Sequence, residues 1–227
     1  MRKRRTRKQR GGESRVRRWL GISEYTPLRT AVSKGDFEMV KALLNVQEPL
    51  KDVRMTTEEF LIQSEDADKG VRSKIREKSN TGKNLLILTI AETDVKGKEA
   101  CKLFSKDRIK IFEYLLSKGA DIDRSDDKGM DVKAYGEKCD ISEEITKIEE
   151  TVKDYYTRFM KDLYKMLESK EDSGDKILAL KHKITTEDLS PNENDILRFV
   201  IQNLSYGNTP SDIKDGLKAL EKSLEDN

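Results

Sequence analysis

The side chains that most often carry out catalysis or hold metal ions are scarce in this sequence. His182 is the only histidine among 227 residues, and it lies in a lysine-rich stretch with no histidine partner. The two cysteines, Cys101 and Cys139, are far apart and form no zinc-ligand pattern with it. We therefore expect His182 to be solvated, and the cysteines to be ordinary thiols of the kind found in a reducing compartment.

Two other short patterns resemble ligand sites but lack residues that those sites require. Residues 81–84 resemble the end of a phosphate loop, yet the upstream glycine and the hydroxyl residue after Lys83 are missing. The aspartates of residues 121–127 suggest a calcium loop, but Asp126 stands where that loop requires glycine and Val132 where it requires glutamate. The sequence therefore predicts a protein that is not an enzyme, with no cofactor and no bound metal.

A helix–turn–helix unit over residues 25–44 is the clearest structural pattern. Thr26 is placed to cap a helix that begins at Pro27, where the missing N–H is dispensable. Apolar residues recur at three- and four-residue spacing on both sides of Gly35, which permits a tight turn. They are Leu28, Ala31 and Val32 before the turn, and Phe37, Val40, Leu43 and Leu44 after it.

This unit resembles the ankyrin repeat, which opens with Thr-Pro-Leu and closes with a leucine-rich second helix. A second unit is split into two parts. Residues 82–91 resemble its opening helix, with Asn84 and Leu85 in place of Thr-Pro. Residues 109–123 carry the Leu-Leu and Gly-Ala-Asp ending of the family, in which we expect Gly119 to adopt a left-handed conformation.

A third unit, over residues 126–148, is degenerate. Asp131 and Val132 replace Thr-Pro, and Lys133 replaces a core leucine. Polar substitutions of this kind are typical of a terminal capping repeat. The resemblance implies an all-α fold: a short ankyrin-repeat helical solenoid with insertions, followed by a C-terminal helical bundle. We divide the chain into a basic disordered arm (1–22), a divergent ankyrin-repeat domain (23–150) and a helical bundle (151–227).

Two insertions, at residues 45–78 and 92–107, separate the pieces of the repeat pattern. The first contains a predicted helix, Thr56–Ser64, followed by a charged run, Glu65–Lys78. Insertions in repeat arrays lie on one face, which is often the binding face. A solvated loop without a partner is an equally strong interpretation of the charged run.

The ankyrin resemblance also implies a binding groove, formed by the finger loops and the first helix of each pair. By this analogy the candidate protein-binding residues, which we expect to be exposed, are Arg29, Lys34, Asp121, Asp123, Arg124, Asp126 and Asp127. Simple solvation and loop hydrogen bonding is at least as good an explanation for any one of them.

The N-terminal arm is strongly basic. It holds ten cations and one acid in residues 1–20, while the whole chain has a net charge of only +2. Such a block can serve as a nuclear-import signal, a nucleic-acid contact or a solubilising tail, and the sequence does not separate these roles. The cations of the arm are Arg2, Lys3, Arg4, Arg5, Arg7, Lys8, Arg10, Arg15, Arg17 and Arg18.

Beyond the third unit, the chain remains helical without the repeat pattern. A long helix is predicted for Ser142–Leu167, and capping signals at Ser190 and Thr209 open two further helices. No apolar run reaches the roughly 18 residues that a membrane-spanning helix needs. We therefore expect an intracellular, cytoplasmic protein, with a nuclear location open through the arm.

Two hypotheses for the function follow. The first is a non-enzymatic adaptor that binds another protein, and the second is a nucleic-acid-binding protein that acts through the basic arm, which could also contact an import receptor. The lysine-rich, interrupted repeat pattern further resembles the ankyrin proteins that intracellular bacteria direct against host factors. The sequence does not identify a partner or an oligomeric state.

Overall fold

The computed structural model describes residues 26–45, 55–79, 81–93 and 99–225, so the basic arm of residues 1–22 lies outside it. The described part is mostly helical, in agreement with the predicted all-α class. The elements are α1 (Pro27–Lys34), α2 (Phe37–Leu44), α3 (Thr57–Ile75), α4 (Leu85–Ile90), β1 (Ala91–Thr93), β2 (Glu99–Cys101), α5 (Lys106–Ser117), α6 (Val132–Cys139), α7 (Ser142–Glu168), α8 (Ser173–Thr186), α9 (Pro191–Ser205) and α10 (Pro210–Glu225).

Six of the helices form three helix pairs that stack side by side. Helix α1 packs on α2, α4 on α5 and α6 on α7. Helix α4 also contacts both α1 and α6, while α5 contacts both α2 and α7, so the pairs form two layers. Gly35 and Gly119 each adopt a positive φ at the end of a helix, as the sequence predicts for both turns.

Each helix of the first layer begins at a polar cap. The side chains of Thr26, Asn84 and Asp131 accept hydrogen bonds from the backbone N–H three residues on. Asn84 and Asp131 therefore have the same capping role as Thr26, because Asn and Asp cap a helix at least as well as Thr does.

The second insertion folds into a small β-hairpin. Strands β1 and β2 are antiparallel, and Ala91 pairs with Cys101. The Glu92 carboxylate accepts hydrogen bonds from Ser33 Oγ (2.8 Å) and from Lys102 Nζ (2.7 Å), which connects the hairpin to the end of α1. Burial raises the pKa of Glu92, but these two contacts outweigh burial, and the net effect is a lowered pKa.

The hairpin also brings the two cysteines together, and the prediction of two ordinary thiols is wrong. Cys101, at the end of β2, forms a disulfide with Cys139, at the end of α6. The sequence does not predict this pairing, because Cys101 reaches Cys139 only when the insertion folds back onto the third helix pair. The disulfide removes the thiol-based argument for a reducing compartment.

The first insertion is dominated by the 19-residue helix α3, which runs 11 residues beyond the predicted end at Ser64. The predicted capping box at its start is confirmed, since Thr56 and Glu59 exchange hydrogen bonds. Most of the charged run, Glu65–Lys78, is therefore helical, and the solvated-loop interpretation is wrong for that part.

Two helices connect the two hydrophobic cores of the molecule. Helix α3 contributes Val71 and Ile75 to the core of the stacked pairs, and Phe60 to a second core formed with the C-terminal helices. Helix α7 likewise places Ile145 and Ile148 in the first core and its C-terminal half in the second. The insertion is therefore part of the folded body.

A buried polar cluster joins α3 to α9. Asp68, which is 1% exposed, accepts hydrogen bonds from Arg198 Nη1 (2.6 Å) and Asn194 Nδ2 (2.9 Å). Arg198 also pairs with Asp195, which in turn pairs with Arg72 on α3. Burial raises the pKa of Asp68, and the two hydrogen bonds and the charge of Arg198 only partly offset this rise.

The C-terminal helices follow the sequence prediction closely. Ser190 and Glu193 form the predicted capping box of α9, and Thr209 and Asp212 exchange hydrogen bonds at the start of α10. Helix α9 packs on α8, α10 and α3. Within the described residues, no helix combines the length and apolar character that crossing a membrane requires.

Reduction of the disulfide should destabilise the protein. The bond closes a loop with a sequence separation of 38, for which a chain-entropy estimate gives about 4 kcal/mol. Chemical denaturation with and without a reductant measures the difference. The double variant Cys101→Ser, Cys139→Ser should match the reduced protein and should not respond to reductant; equal stability of the oxidised and reduced protein would contradict this assignment.

Removing the buried carboxylate of Asp68 should lower the free energy of unfolding far more than removing an exposed carboxylate on the same helix. We expect Asp68→Ala to lower the free energy of unfolding by about 3–5 kcal/mol, because it removes an ion-pair partner from the buried Arg198. Asp66→Ala, which removes an exposed carboxylate paired with Lys69, should cost no more than about 0.5 kcal/mol. Similar losses in the two variants would show that the cluster does not join α3 to α9.

Candidate binding cleft

The seven predicted groove residues do not form one exposed surface. Arg29 and Asp126 are buried, with exposures of 6% and 7%. The expectation that these two residues are exposed is wrong, because the body of the protein covers both. Asp126 has a structural role: its Oδ1 accepts from the backbone N–H groups of Lys128 and Met130, and its Oδ2 accepts from the Tyr135 hydroxyl at 2.8 Å.

Three of the remaining predicted residues are exposed but lie outside the cleft described below. Lys34 is exposed at the end of α1. Asp123 pairs with Lys133 at 3.1 Å, and Asp127 donates its backbone N–H to the carbonyl of Thr81. Solvation and loop hydrogen bonding therefore account for these three residues.

The other two predicted residues, Asp121 and Arg124, line a cleft of about 720 Å³. One wall is the turn after α5 together with the start of α4, which are the parts that the ankyrin resemblance assigns to the groove. The opposite wall is formed by the C-terminal half of α3 and the first residues of α9. The inserted helix and the C-terminal helices thus deepen the predicted groove into a cleft.

Asn84 fixes the geometry of the first wall. Its Oδ1 caps α4 by accepting from the backbone N–H of Ile87 at 2.8 Å. Its Nδ2 donates to the carbonyl oxygens of Asp121 (3.3 Å) and Arg124 (3.0 Å). The Asn84 side chain therefore holds both the start of α4 and the turn after α5. A threonine side chain cannot make both sets of contacts.

The charge of the cleft is mostly positive. Arg72, Arg76, Lys118 and Arg124 line it together with two aspartates. Lys118 is fully engaged, donating to the backbone carbonyls of Asp188 and Leu189 at 2.7 Å each. Arg72 is paired with Asp195 and also donates to the carbonyl of Pro191 at 3.0 Å.

Arg76 and Arg124 are the arginines most available to a ligand. Arg76 is exposed at the end of α3, and its backbone carbonyl accepts from Arg124 Nη1 at 3.5 Å. The two arginines therefore belong to the two walls of the cleft, which meet at this contact. Arginine is well suited to recognition of carboxylate or phosphate groups, because its donors form a rigid planar fork.

The residue patterns that the sequence offered as possible ligand sites do not come together as sites in the part of the chain that the structure describes. No group of three or more His, Cys, Asp or Glu side chains within the described ranges is arranged to hold a metal ion. His182 is exposed, as predicted. Lys83, from the incomplete phosphate-loop pattern, is 1% exposed and lies 4.8 Å from the centre of the Tyr135 ring, so it is not presented to a ligand.

Sequence reasoning missed Arg72, Arg76 and Asn84 as components of the site. The two arginines belong to the charged run, Glu65–Lys78, which a solvated loop explains equally well at the level of sequence. Asn84 is, in the sequence, only a departure from the ankyrin pattern. Spacing offered one signal: Arg72 and Arg76 are four residues apart and therefore share one face of a helix.

Asn84→Thr should separate the two roles of this side chain. Threonine retains the cap but cannot donate to the carbonyl oxygens of both Asp121 and Arg124. We therefore expect a loss of about 1–3 kcal/mol in the free energy of unfolding. Asp131→Thr is the matched control, because Asp131 caps α6 in the equivalent position and should lose only a few tenths of a kcal/mol. Equal effects on chemical denaturation would contradict a special role for Asn84.

Comparisons with known proteins give no match. No family model matches this chain, no curated protein is significantly similar to it, and no solved structure resembles it significantly.

Proposed function

We propose that this protein is a non-enzymatic interaction scaffold that binds another protein through the cleft between its stacked helix pairs and helices α3 and α9. The observation that carries the proposal is the position of Arg76 and Arg124 on opposite walls of a cleft of about 720 Å³. Both side chains are placed to contact a ligand that enters between the walls.

The proposal includes membership of the ankyrin-repeat family as a divergent member with three units. Its support is the two-layer stack of three helix pairs, the equivalent caps at Thr26, Asn84 and Asp131, and the left-handed glycines at two helix ends. Three units are about the number that such a stack needs to bury a continuous core.

The cleft is lined by 14 residues, fewer than the roughly 20–30 that each side of a stable protein–protein interface contributes. A protein partner therefore contacts surface beyond the cleft, and a projecting segment of that partner enters it. Arginine is among the residue types that most often carry a large share of the binding energy at an interface.

Charge reversal in the cleft tests this proposal. We expect Arg76→Glu combined with Arg124→Glu to abolish retention of a defined protein in affinity capture from nuclease-treated cell lysate. Lys170→Glu combined with Lys222→Glu reverses two exposed cations outside the cleft and should retain that protein, as the wild type does. Melting curves check that both variants are folded. If the wild type retains no defined protein, or both variants retain the same protein equally, the proposal is wrong.

The alternative function is nucleic-acid binding through the basic arm. The charge separation supports it, because residues 1–20 carry +9 and the remaining 207 residues carry −7. Binding by this route weakens steeply as salt increases. Replacement of the seven cations of residues 2–10 with glutamine should abolish it, whereas protein retention through the cleft should survive. The cellular compartment is not part of either proposal, since the thiol argument no longer applies.

A further inference from the structure

A second concave surface lies between α5, α7 and the start of α9. It consists of two adjacent cavities of about 540 and 390 Å³, and both are lined by Val152, Tyr155 and Glu193. We call the pair the tyrosine groove. It shares no lining residue with the cleft except Gly119 and Asn192, so it can be tested separately.

Glu193 lines both cavities, and one of its carboxylate oxygens has no hydrogen-bond partner among the described residues. Its Oε2 accepts from the backbone N–H of Ser190 at 2.7 Å, which completes the capping box of α9. Its Oε1 is buried and has no hydrogen-bond partner among the described residues, although Glu193 as a whole is only 4% exposed. A buried carboxylate oxygen left in this state is costly, so a donor that reaches it gains a strong hydrogen bond.

The electrostatic surroundings favour a cation as that donor. Five carboxylate residues and three cationic residues line the two cavities. The pKa of each groove tyrosine is raised mainly by burial, and nearby carboxylates add to that rise. Burial raises the pKa of Tyr155, and Glu193, Glu187 and Asp188 raise it further. Burial and Asp188 raise the pKa of Tyr114 in the same way.

The walls of the groove are aromatic as well as acidic. Tyr155 is 45% exposed, and Phe37 and Tyr114 pack edge to face on the side of the smaller cavity, with ring centres 5.8 Å apart. Aromatic faces attract ammonium and guanidinium groups. Lys110 and Lys118 already lie over the Phe37 and Tyr114 rings, so the ring that we assign to a ligand cation is that of Tyr155. Since the two cavities adjoin at Tyr155, one can take a cationic side chain while the other takes a neighbouring apolar side chain.

We propose that the tyrosine groove binds a protein segment that presents a lysine or arginine beside an apolar residue. The cation donates to Glu193 Oε1 and packs on the Tyr155 ring. The assignment of this segment to a partner protein rests on the scaffold function proposed above. The groove would remain a binding site even if the cleft were not.

Fluorescence anisotropy with a labelled peptide, Gly-Arg-Trp-Arg-Gly, tests the proposal on the full chain. We expect saturable binding to the wild type and no binding of the counterpart Gly-Glu-Trp-Glu-Gly. Glu193→Gln keeps the cap and the shape of the side chain, and it should weaken binding at least 10-fold. Tyr155→Leu should weaken it about 5-fold or more.

The matched controls are the same two kinds of substitution, Tyr→Leu and Glu→Gln, at other positions. Tyr206→Leu and Glu137→Gln change exposed residues outside the groove and should leave the affinity unchanged. The proposal is overturned if the wild type does not bind the arginine peptide, or if all four variants bind it equally.

The chain's own basic arm is the competing occupant of the groove. Trp19 is the only tryptophan, so its fluorescence reports on residues 15–20 directly. We expect the emission of Trp19 to be the same in the wild type and in Glu193→Gln. A red shift in the variant would place the chain's own arm in the groove and would overturn the assignment to a partner protein.

Discussion

The buried contact between Asp68 and Arg198 is the interaction on which the shape of this molecule depends. It joins an inserted helix, α3, to a helix more than a hundred residues later in the chain. A carboxylate and a guanidinium group placed this deep lose most of their hydration, and the pair persists only because Asn194 and Asp195 satisfy further hydrogen bonds around it. Hydrophobic contacts of Phe60 add to the same junction.

The junction between α3 and α9 determines which residues wall the cleft. Without α3, the turn after α5 and the start of α4 would face open solvent, as in the groove that the ankyrin resemblance implies. With α3 held against α9, Arg72 and Arg76 line the same cleft as Arg124. The polar cluster therefore connects the stability of the C-terminal helices to the geometry of the proposed binding surface, while Lys74 and Glu77 tie the same segment back to the first helix pair.

Much of the fold was predictable because local signals and burial agree. The first helix pair, the capping boxes at Thr56 and Ser190, and the left-handed Gly119 all follow from residue type and spacing. The full length of α3 was not predictable, since its buried stripe runs through Phe60, Ser64, Asp68, Val71 and Ile75. Two central positions of that stripe, Ser64 and Asp68, are polar and interrupt the hydrophobic period in the sequence. The burial of Asp68 is tolerable because residues of the distant helix α9 donate hydrogen bonds to it.

The candidate sites were less predictable for the same reason. Asp121 and Arg124 were found because they belong to a recognisable turn, but their counterparts on α3 belong to another part of the fold. The disulfide and the tyrosine groove likewise depend on how distant segments meet. No spacing rule connects Cys101 with Cys139, or Tyr155 with Glu193, before the chain is folded.

Amide hydrogen exchange along α3 and α9 is the measurement that tests this account most directly. If α3 is a structural part of the body, its central amides should be protected to the same degree as those of α9, and Arg198→Ala should lower the protection of both together. Exchange of the α3 amides orders of magnitude faster than that of α9, with no further change in the variant, would contradict the account.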